Sequence, residues 1–307
     1  MPFRAVFVPL LLYLALGMMS LARGADIALV LSDSGGAYGD FASAFQQFAA
    51  NPPWRVRWVG TAENLDSAAF RADLIVAVGN DATRTSLRRS EGRPVVATLL
   101  PRQAYDRALA ETPSRPRGVT AIYLDQPISR LLAFSHYLLP DRHRAGVLVG
   151  SDTRPLLAQA RQAASAAGMT LETEEAEPDT ALVPAMNQLL GRSDLLLALP
   201  DSAVYRRDNI RVILLTSYRY QKPVIAFSQA FVTAGALAAL YSSPAQVARQ
   251  TADTIRQLNP DAINLPPPQG PTLFSIAINR NVAQAFGLSL PDEATIRRAL
   301  NADKETR

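Results

Sequence analysis

The chain has 307 residues, which is more than one hydrophobic core usually organises, so we expect two lobes. Hydrophobic residues make up 48% of the chain and charged residues 19%, a balance that excludes a disordered protein. Cysteine is absent, which excludes disulfides, thiolate nucleophiles and Cys-ligated metals.

The N-terminal segment has the features of a secretory signal peptide. Arg4 precedes an apolar run over residues 5–21, and small residues follow at Ala22 and Gly24. We predict a cleaved signal peptide over residues 1–24 and a periplasmic mature protein. An uncleaved membrane anchor is the alternative, because the apolar run approaches the length that spans a bilayer. The remaining chain has 29 basic and 27 acidic residues, a balance that argues against a nucleic-acid partner.

The first half of the mature chain alternates between strand and helix patterns. Apolar runs predict strands over residues 26–32, 54–60, 73–79 and 94–101, and several of these runs are apolar at nearly every position. Such runs are typical of strands that are buried on both faces of a parallel sheet. Helix patterns lie between them: Phe41, Phe45 and Phe48 share one helical face, and residues 63–70 also read as helical.

A second alternating series follows the proline-rich loop at residues 112–118. It predicts strands over residues 119–125, 145–151, 170–177, 194–200 and 222–228, with a helix pattern after each of the first four. The tail is less regular, with a helix over 244–258, a strand over 272–279 and a terminal helix. We therefore predict an α/β protein with two doubly wound parallel-sheet lobes.

The tail is too short for a third domain, so we expect the chain to cross between the lobes three times, near residues 120, 230 and 272. This assigns residues 25–120 and 231–271 to the N-terminal lobe. Residues 121–230 and 272–307 form the C-terminal lobe.

Polar and small residues follow most of the predicted strands, where open α/β sheets bind their ligands. If the lobes face each other, these strand ends line one cleft, and each such residue is alternatively a helix cap. Strand ends also occur at Pro101-Arg102 and Asp125-Gln126. The residues that we select as ligand-binding are Asp33, Ser34, Gly35, Gly36, Tyr38, Asn80, Asp81, Asp152, Thr153, Arg154, Asp201, Ser228 and Phe231.

These residues suggest complementary roles. Asp33 and Asp201 could pair with an amine. Ser34, the amides of Gly35 and Gly36, and Arg154 could receive an anion, and Tyr38 and Phe231 could form apolar walls. No cofactor or metal site is predicted, because the chain has two histidines, no cysteine and no phosphate-binding or dinucleotide-binding motif.

The tetrapeptide Asp33-Ser34-Gly35-Gly36 raises the alternative of a serine hydrolase. A nucleophilic serine needs a base, usually a histidine, and His136 and His143 both read as ordinary surface or packing residues. The segment also lacks the first glycine of a nucleophile elbow. We expect no catalytic residue here.

Residues 193–290 carry a more specific pattern: Asp201 ends a strand, Gly235 and Ala236 form a pair, and Asn279 precedes Ala283 and the Gly287-Leu288 pair. This pattern resembles the ABC-transporter substrate-binding proteins of the tryptophan-binding-protein-like group. The resemblance implies a type I periplasmic-binding-protein fold, in which a small molecule is bound between two lobes without turnover. It also supports Asp201 as a ligand-binding residue.

One departure concerns the ligand. Members that bind aromatic amino acids carry a Tyr-Asn-Pro loop after the first strand of the second lobe, where this chain has Asp152, Thr153 and Arg154. The aromatic amino-acid assignment therefore does not carry over. We expect a monomeric periplasmic protein that encloses a small polar molecule, such as an amino acid or related metabolite, for an ABC permease. The alternative is a ligand sensor that signals to a membrane receptor.

Overall fold

The computed structural model describes residues 24–49, 52–65, 71–113, 118–177 and 181–305. The signal peptide predicted for residues 1–24 lies outside these residues apart from Gly24. Most of the helix predicted over residues 63–70 lies outside them too, and residues 63–65, which are described, form a turn and irregular structure.

The first sheet has five parallel strands in the order β2-β1-β3-β4-β5. Its central strands are buried along almost their whole length, as their continuous apolar sequence predicts. The strands are β1 (Ala25–Leu31), β2 (Trp54–Thr61), β3 (Leu74–Val78), β4 (Val95–Leu100) and β5 (Val119–Tyr123).

The second sheet has six strands in the order β11-β10-β9-β8-β6-β7. All neighbours are parallel except β10 and β11, which are antiparallel. The strands are β6 (Arg144–Val149), β7 (Thr170–Glu175), β8 (Leu195–Leu197), β9 (Val224–Ala226), β10 (Ala238–Tyr241) and β11 (Ser275–Ile278).

Helices cover both faces of each sheet. In chain order they are α1 (Gly36–Phe48), α2 (Asn80–Arg89), α3 (Arg102–Ala110), α4 (Ile128–Leu138), α5 (Leu157–Ala166), α6 (Leu182–Arg192), α7 (Arg207–Arg219), α8 (Gln229–Ala234), α9 (Pro244–Arg256), α10 (Arg280–Ala285) and α11 (Glu293–Glu305). A short 3-10 turn over Arg154–Leu156 precedes α5.

The predicted apolar face of α1 is the one that packs on the first sheet. Phe41 and Phe45 are fully buried and stack with ring centroids 5.7 Å apart, and Phe48 packs partly against the same cluster. Val247 and Ile255 of α9 enter this cluster too, so α9 belongs to the first lobe although it follows the second in sequence. Ile296 of α11 packs in the second lobe instead.

The structure moves two of the three predicted lobe boundaries. Strand β5 pairs with β4, so the first crossing follows Tyr123, three residues later than the predicted boundary at residue 120. The second crossing follows Tyr241 and does not occur near residue 230, because residues 238–241 form β10 in the second sheet. The segment around β10 appears irregular in the sequence because the strand is only four residues long. The last crossing lies between Gln269, which bridges to Ile122 of β5, and Ser275 of β11.

One chain of hydrogen bonds joins the three crossing segments. The Gln126 Nε2 donates to the Ser242 Oγ at 2.8 Å, and the Ser242 Oγ donates to the Leu273 carbonyl at 2.6 Å. Arg130 extends this network by donating to the Gln126 Oε1 at 2.7 Å and to the Pro271 carbonyl at 3.1 Å. Gln126 and Ser242 are both buried, so these bonds are made without competition from water.

We predict that Ser242→Ala lowers the free energy of unfolding by about 1–3 kcal/mol, because it removes both bonds and leaves buried polar partners unsatisfied. Urea denaturation measures this change. Ser151→Ala is the control, since Ser151 is exposed and makes one bond of 3.3 Å to Glu177. Equal stability of the two variants would contradict a structural role for the crossover network.

Candidate functional site

A cavity of about 330 Å³ lies between the two lobes at the carboxyl ends of their strands. The first lobe, the crossovers and the second lobe all contribute to its wall. Its lining residues are Ala37, Tyr38, Leu99, Pro101, Leu124, Asp125, Gln126, Leu131, Pro200, Phe227, Ser228, Tyr241, Ser242 and Pro244. The strand ends therefore meet at one site, and we take this interlobe cavity as the candidate ligand site.

Leu99 contributes to the wall through an unusual backbone conformation. Its φ is +56°, and the register between β4 and β5 shifts between Thr98 and Leu100. A leucine in the left-handed region is strained by about 1–3 kcal/mol, so the surrounding packing must hold it there. The bulge ends the regular pairing of β4 at the cavity.

The loop after β1 sits beside the cavity and contributes to it through Tyr38. The Asp33 Oδ1 accepts a 3.0 Å hydrogen bond from the Gly35 N–H, and Gly36 adopts a φ of +53°, which suits glycine. Residues 33–36 are exposed and do not line the cavity, whereas Tyr38 is half-buried and does. Burial raises the pKa of Tyr38, and the nearby charges of Asp81 and Asp33 raise it further.

Gly79 allows Tyr38 to reach its position. Its φ is +90°, and a Cβ at this residue would lie 2.5 Å from the Tyr38 ring. Asn80 and Asp81, which follow Gly79 at the start of α2, are exposed and do not line the cavity. Asp81 still influences the site, because its negative charge raises the pKa of Tyr38.

Asp201 has an internal role and does not face the cavity. Its Oδ2 accepts hydrogen bonds from the Asp152 N–H at 3.1 Å and from the Thr153 N–H and Oγ1, both at 2.9 Å. Its Oδ1 accepts from the amides of Ala203 and Val204 at 3.1 and 3.2 Å. Five donors saturate this buried carboxylate, so it joins the two loops that follow β6 and β8 and is not available to an amine.

Asp152 connects the two lobes. Its carboxylate forms an ion pair with Arg107 of α3 and accepts hydrogen bonds from the Ser202 amide and hydroxyl at 2.9 and 2.6 Å. Burial alone would raise the pKa of Asp152, but the hydrogen bonds from Ser202 and Arg107 outweigh it and hold the pKa below its ordinary value. The ion pair spans the cleft, since Arg107 lies in the first lobe and Asp152 in the second.

Two more predicted residues follow β6, and two follow β9. They differ in whether they are buried, exposed or part of the cavity wall. Thr153 is fully buried in the Asp201 network, and Arg154 is exposed and pairs with Glu175 at 2.7 Å. Ser228 lines the cavity and caps α8 by accepting from the Phe231 N–H at 3.3 Å. Phe231 is not a cavity wall, because it is buried against Tyr205 and Phe227 with centroids 5.7 and 5.5 Å away.

Most of the cavity residues that we did not select from the sequence are aromatic or apolar. Asp125 is also among them. Asp125 lies two residues after the end of β5, and this position at a strand end is the sequence signal that could have indicated it. Its Oδ2 accepts from the Arg102 N–H at 2.6 Å. Burial is the largest influence on Asp125 and raises its pKa, although the Arg102 amide and charge act in the opposite direction. Tyr241 and Phe227 come from short strands whose ends are hard to place from sequence.

The structure places no histidine beside Ser34. His143 directly precedes β6 and His136 lies in α4, so both belong to the second lobe, and His143 lies at the end of the sheet opposite the cavity. Their rings are 6.4 Å apart. Among the described residues, no group of three His, Asp or Glu is arranged to hold a metal ion.

A family model of ABC transporter substrate binding proteins matches residues 63–300. The chain belongs to this family. Substrate-binding proteins of this kind are typically periplasmic and bind small molecules that a membrane permease transports. No curated protein sequence matches the chain. In the part of the chain that the structure describes, no helix is both long and apolar enough to cross a membrane.

Solved structures of similar proteins establish the fold. A ligand-free, open substrate-binding protein with adhesive properties from Clostridium difficile aligns with a TM-score of 0.67 at 15% identity, over 88% of this chain and 97% of its own. An ABC domain in complex with L-Trp from Streptococcus pneumoniae gives 0.59 at 15% identity, over 89% and 98%. A conserved domain protein from Vibrio cholerae gives 0.60 at 18% identity, over 90% and 98%. The predicted type I periplasmic-binding-protein fold and the family resemblance are both confirmed.

We predict that Gly150→Ala destabilises this substrate-binding protein by about 1–3 kcal/mol, because overpacking forces buried groups to move. A Cβ at Gly150 would lie 2.4 Å from the Asp201 Oδ1, which is held by two amides. Chemical denaturation measures the change.

Gly191→Ala is the matched control. Gly191 lies in α6 with open space at its Cβ position, so the substitution should stabilise the protein by about 0.5–1 kcal/mol. A Gly150→Ala variant as stable as the wild type would show that the Asp201 network tolerates displacement.

Proposed function

We propose that the protein binds a small solute in the interlobe cavity and delivers it to an ABC permease in the membrane. The observation that supports this most is the position of the cavity. Both lobes and two of the three crossing segments contribute to its wall, in a chain that belongs to the substrate-binding family. A ligand bound there contacts both lobes at once, as a solute-binding protein requires.

Closure of the lobes follows from this arrangement. A ligand shifts a conformational equilibrium only by its difference in affinity for the two states. Tyr38 and Leu99 come from one lobe and Pro200 and Phe227 from the other, so a ligand gains the full set of contacts only when the lobes approach. The Arg107–Asp152 ion pair also spans the lobes and supports the closed arrangement.

We propose that the protein acts as a periplasmic monomer and binds its solute without chemical turnover. The solute is a small polar molecule, either an amino acid or a related metabolite that lacks one of its charged groups. The walls of the cavity are largely apolar, with Asp125, Gln126, Ser228 and Ser242 as the polar groups, so the solute must combine a polar group with an apolar body.

A thermal-shift screen against amino acids, arylalkylamines, sugars and purines tests the binding. A ligand of the folded state raises the melting temperature in a concentration-dependent manner. We predict that Ala37→Trp lowers the affinity of any such ligand at least about tenfold, because Ala37 lines the cavity and is exposed, so that an indole fills the site without disturbing the core.

Ser43→Trp is the matched control, since Ser43 is an exposed residue of the same helix that does not line the cavity. Isothermal titration calorimetry compares the variants. Equal affinities for the two tryptophan variants would place the ligand elsewhere, and no stabilisation by any compound class would contradict a solute-binding function.

Uptake of the radiolabelled ligand tests delivery. Cells that lack the chain should lose high-affinity uptake, and the wild-type gene should restore it, whereas Ala37→Trp should not. Unchanged uptake would contradict the permease partner and favour the ligand-sensing alternative.

A further inference from the structure

The charges around the interlobe cavity indicate which class of solute it selects, provided that this cavity is the ligand site proposed above. Among the residues that the structure describes, Asp125 is the only carboxylate in the wall, and no Lys, Arg or His lines it. The site thus carries an anionic group without a cationic one. An amino acid has both a positive and a negative charge to accommodate, whereas a simple amine has only the positive one.

Asp125 has no counter-ion of its own. It forms no salt bridge with any residue that the structure describes, and its hydrogen bonds come from backbone amides, that of Arg102 at 2.6 Å and its own. The Arg102 charge acts on Asp125, but the Arg102 side chain also lies 3.7 Å from Asp106. Arg107 pairs with Asp152, and the half-buried Arg130 donates to the Gln126 side chain and the Pro271 carbonyl. Burial of the Asp125 carboxylate raises its pKa, and the negative charge of Asp152 adds to this, whereas the backbone hydrogen bonds and the Arg102 charge lower it. An ammonium group would supply the missing positive charge.

Further negative charge lies at the side of Tyr38. Asp33 and Asp81 both raise the pKa of the Tyr38 hydroxyl, although burial is the larger cause. On the opposite wall, burial raises the pKa of Tyr241, followed by the charge of Glu293. Carboxylates thus add negative charge on two sides of the cavity, and the Arg102 charge beside Asp125 opposes them.

The cavity also has few hydrogen-bond donors to offer a carboxylate. The Gln126 amide donates to Ser242, the Ser242 hydroxyl donates to Leu273, and the Tyr241 hydroxyl pairs with Gln229 at 2.9 Å. The Gly35 amide beside the site already donates to Asp33. The hydroxyls of Tyr38 and Ser228 remain as side-chain donors in the wall. Since a desolvated carboxylate needs several donors, this wall would bind it poorly.

The apolar part of the wall suits a hydrophobic ligand body. The rings of Tyr38, Phe227 and Tyr241 line the cavity together with Leu99, Leu124 and Leu131. Aromatic faces attract organic cations, and they also pack against apolar and aromatic groups.

We propose that the cavity selects a primary amine with an aromatic or other apolar body and no carboxylate, an arylalkylamine and not an amino acid. The ammonium group binds the Asp125 carboxylate, and the ring lies between Tyr38 of the first lobe and Phe227 of the second.

Three matched compounds test this proposal by calorimetry on the wild-type mature protein: tryptamine, tryptophan and indole-3-propionate. They share the indole ring and side-chain length and differ in their charged groups. We expect tryptamine to bind at least about tenfold more tightly than tryptophan, and indole-3-propionate not to bind. Tryptophan binding as tightly as tryptamine would overturn the proposal while leaving the solute-binding function intact. So would binding only of a sugar or purine in the thermal-shift screen, and binding of nothing would contradict both.

Asp125→Asn tests the residue. It keeps an oxygen for the Arg102 amide but loses the charge, so tryptamine affinity should fall at least about tenfold and the preference over tryptophan should largely disappear. Asp40→Asn is the control, because Asp40 is exposed on α1 and this substitution also removes one negative charge. An Asp125→Asn variant that retains wild-type affinity would overturn the assignment.

The pH dependence of the wild type gives an independent measurement that requires no variant to fold. Tryptamine stays protonated throughout, whereas Asp125 takes up a proton as the pH falls through its pKa, which burial places above the ordinary value. Affinity should decline on acidification, and it should do so at a higher pH than an ordinary aspartate would give. Affinity that is constant down to the ordinary aspartate range would contradict the role of Asp125.

Discussion

The hydrogen-bond chain from Gln126 through Ser242 to Leu273 is the interaction on which the rest of the structure depends. It joins the three segments through which the polypeptide passes from one lobe to the other. Each lobe has its own sheet and its own core clusters, so the relative position of the lobes is set at these crossings. Gln126 and Ser242 also form part of the cavity wall, and the hinge and the candidate ligand site are thus the same piece of structure.

This coincidence explains how a small ligand could affect the whole molecule. A solute beside Asp125 contacts the first crossing directly and both lobes through their strand ends. The strained backbone at Leu99 and the ion pair between Arg107 and Asp152 lie on the same side of the fold. Strain of this kind persists only where the surrounding structure holds it in place, and it concentrates at binding sites.

Much of the fold could be predicted from the sequence, because the central strands are continuous apolar runs separated by amphipathic helices. The runs at β3 and β4 are buried at every position. The lobe boundaries were harder to predict for two physical reasons. Strand β5 follows a proline-rich loop and therefore resembles the start of a new series, and β10 is too short to show a period. Only sheet pairing decides where such strands belong.

The candidate cavity lies at the ends of the strands that the sequence indicates, but it includes few of the selected residues. Of the residues selected by the rule that ligands bind at the carboxyl ends of strands, Tyr38 and Ser228 line the cavity, and their binding role stays a prediction. It could not separate residues that face a ligand from those that satisfy the backbone of their own loop. Asp201 and Thr153 do the latter, because the loop after β6 leaves buried amides that need acceptors. Asp125 accepts only backbone amides, those of Arg102 and of its own residue, and its side chain lines the cavity.

A distance measurement between the lobes tests the central claim, that they close around a solute at the crossovers. The chain has no cysteine, so spin labels attach only at the two sites of an Asp40→Cys, Ala230→Cys variant, both exposed and one in each lobe. Double electron–electron resonance then compares the distance distribution with and without saturating tryptamine. We expect a shorter and narrower distribution in the presence of the amine. Calorimetrically confirmed binding with an unchanged distribution would contradict it.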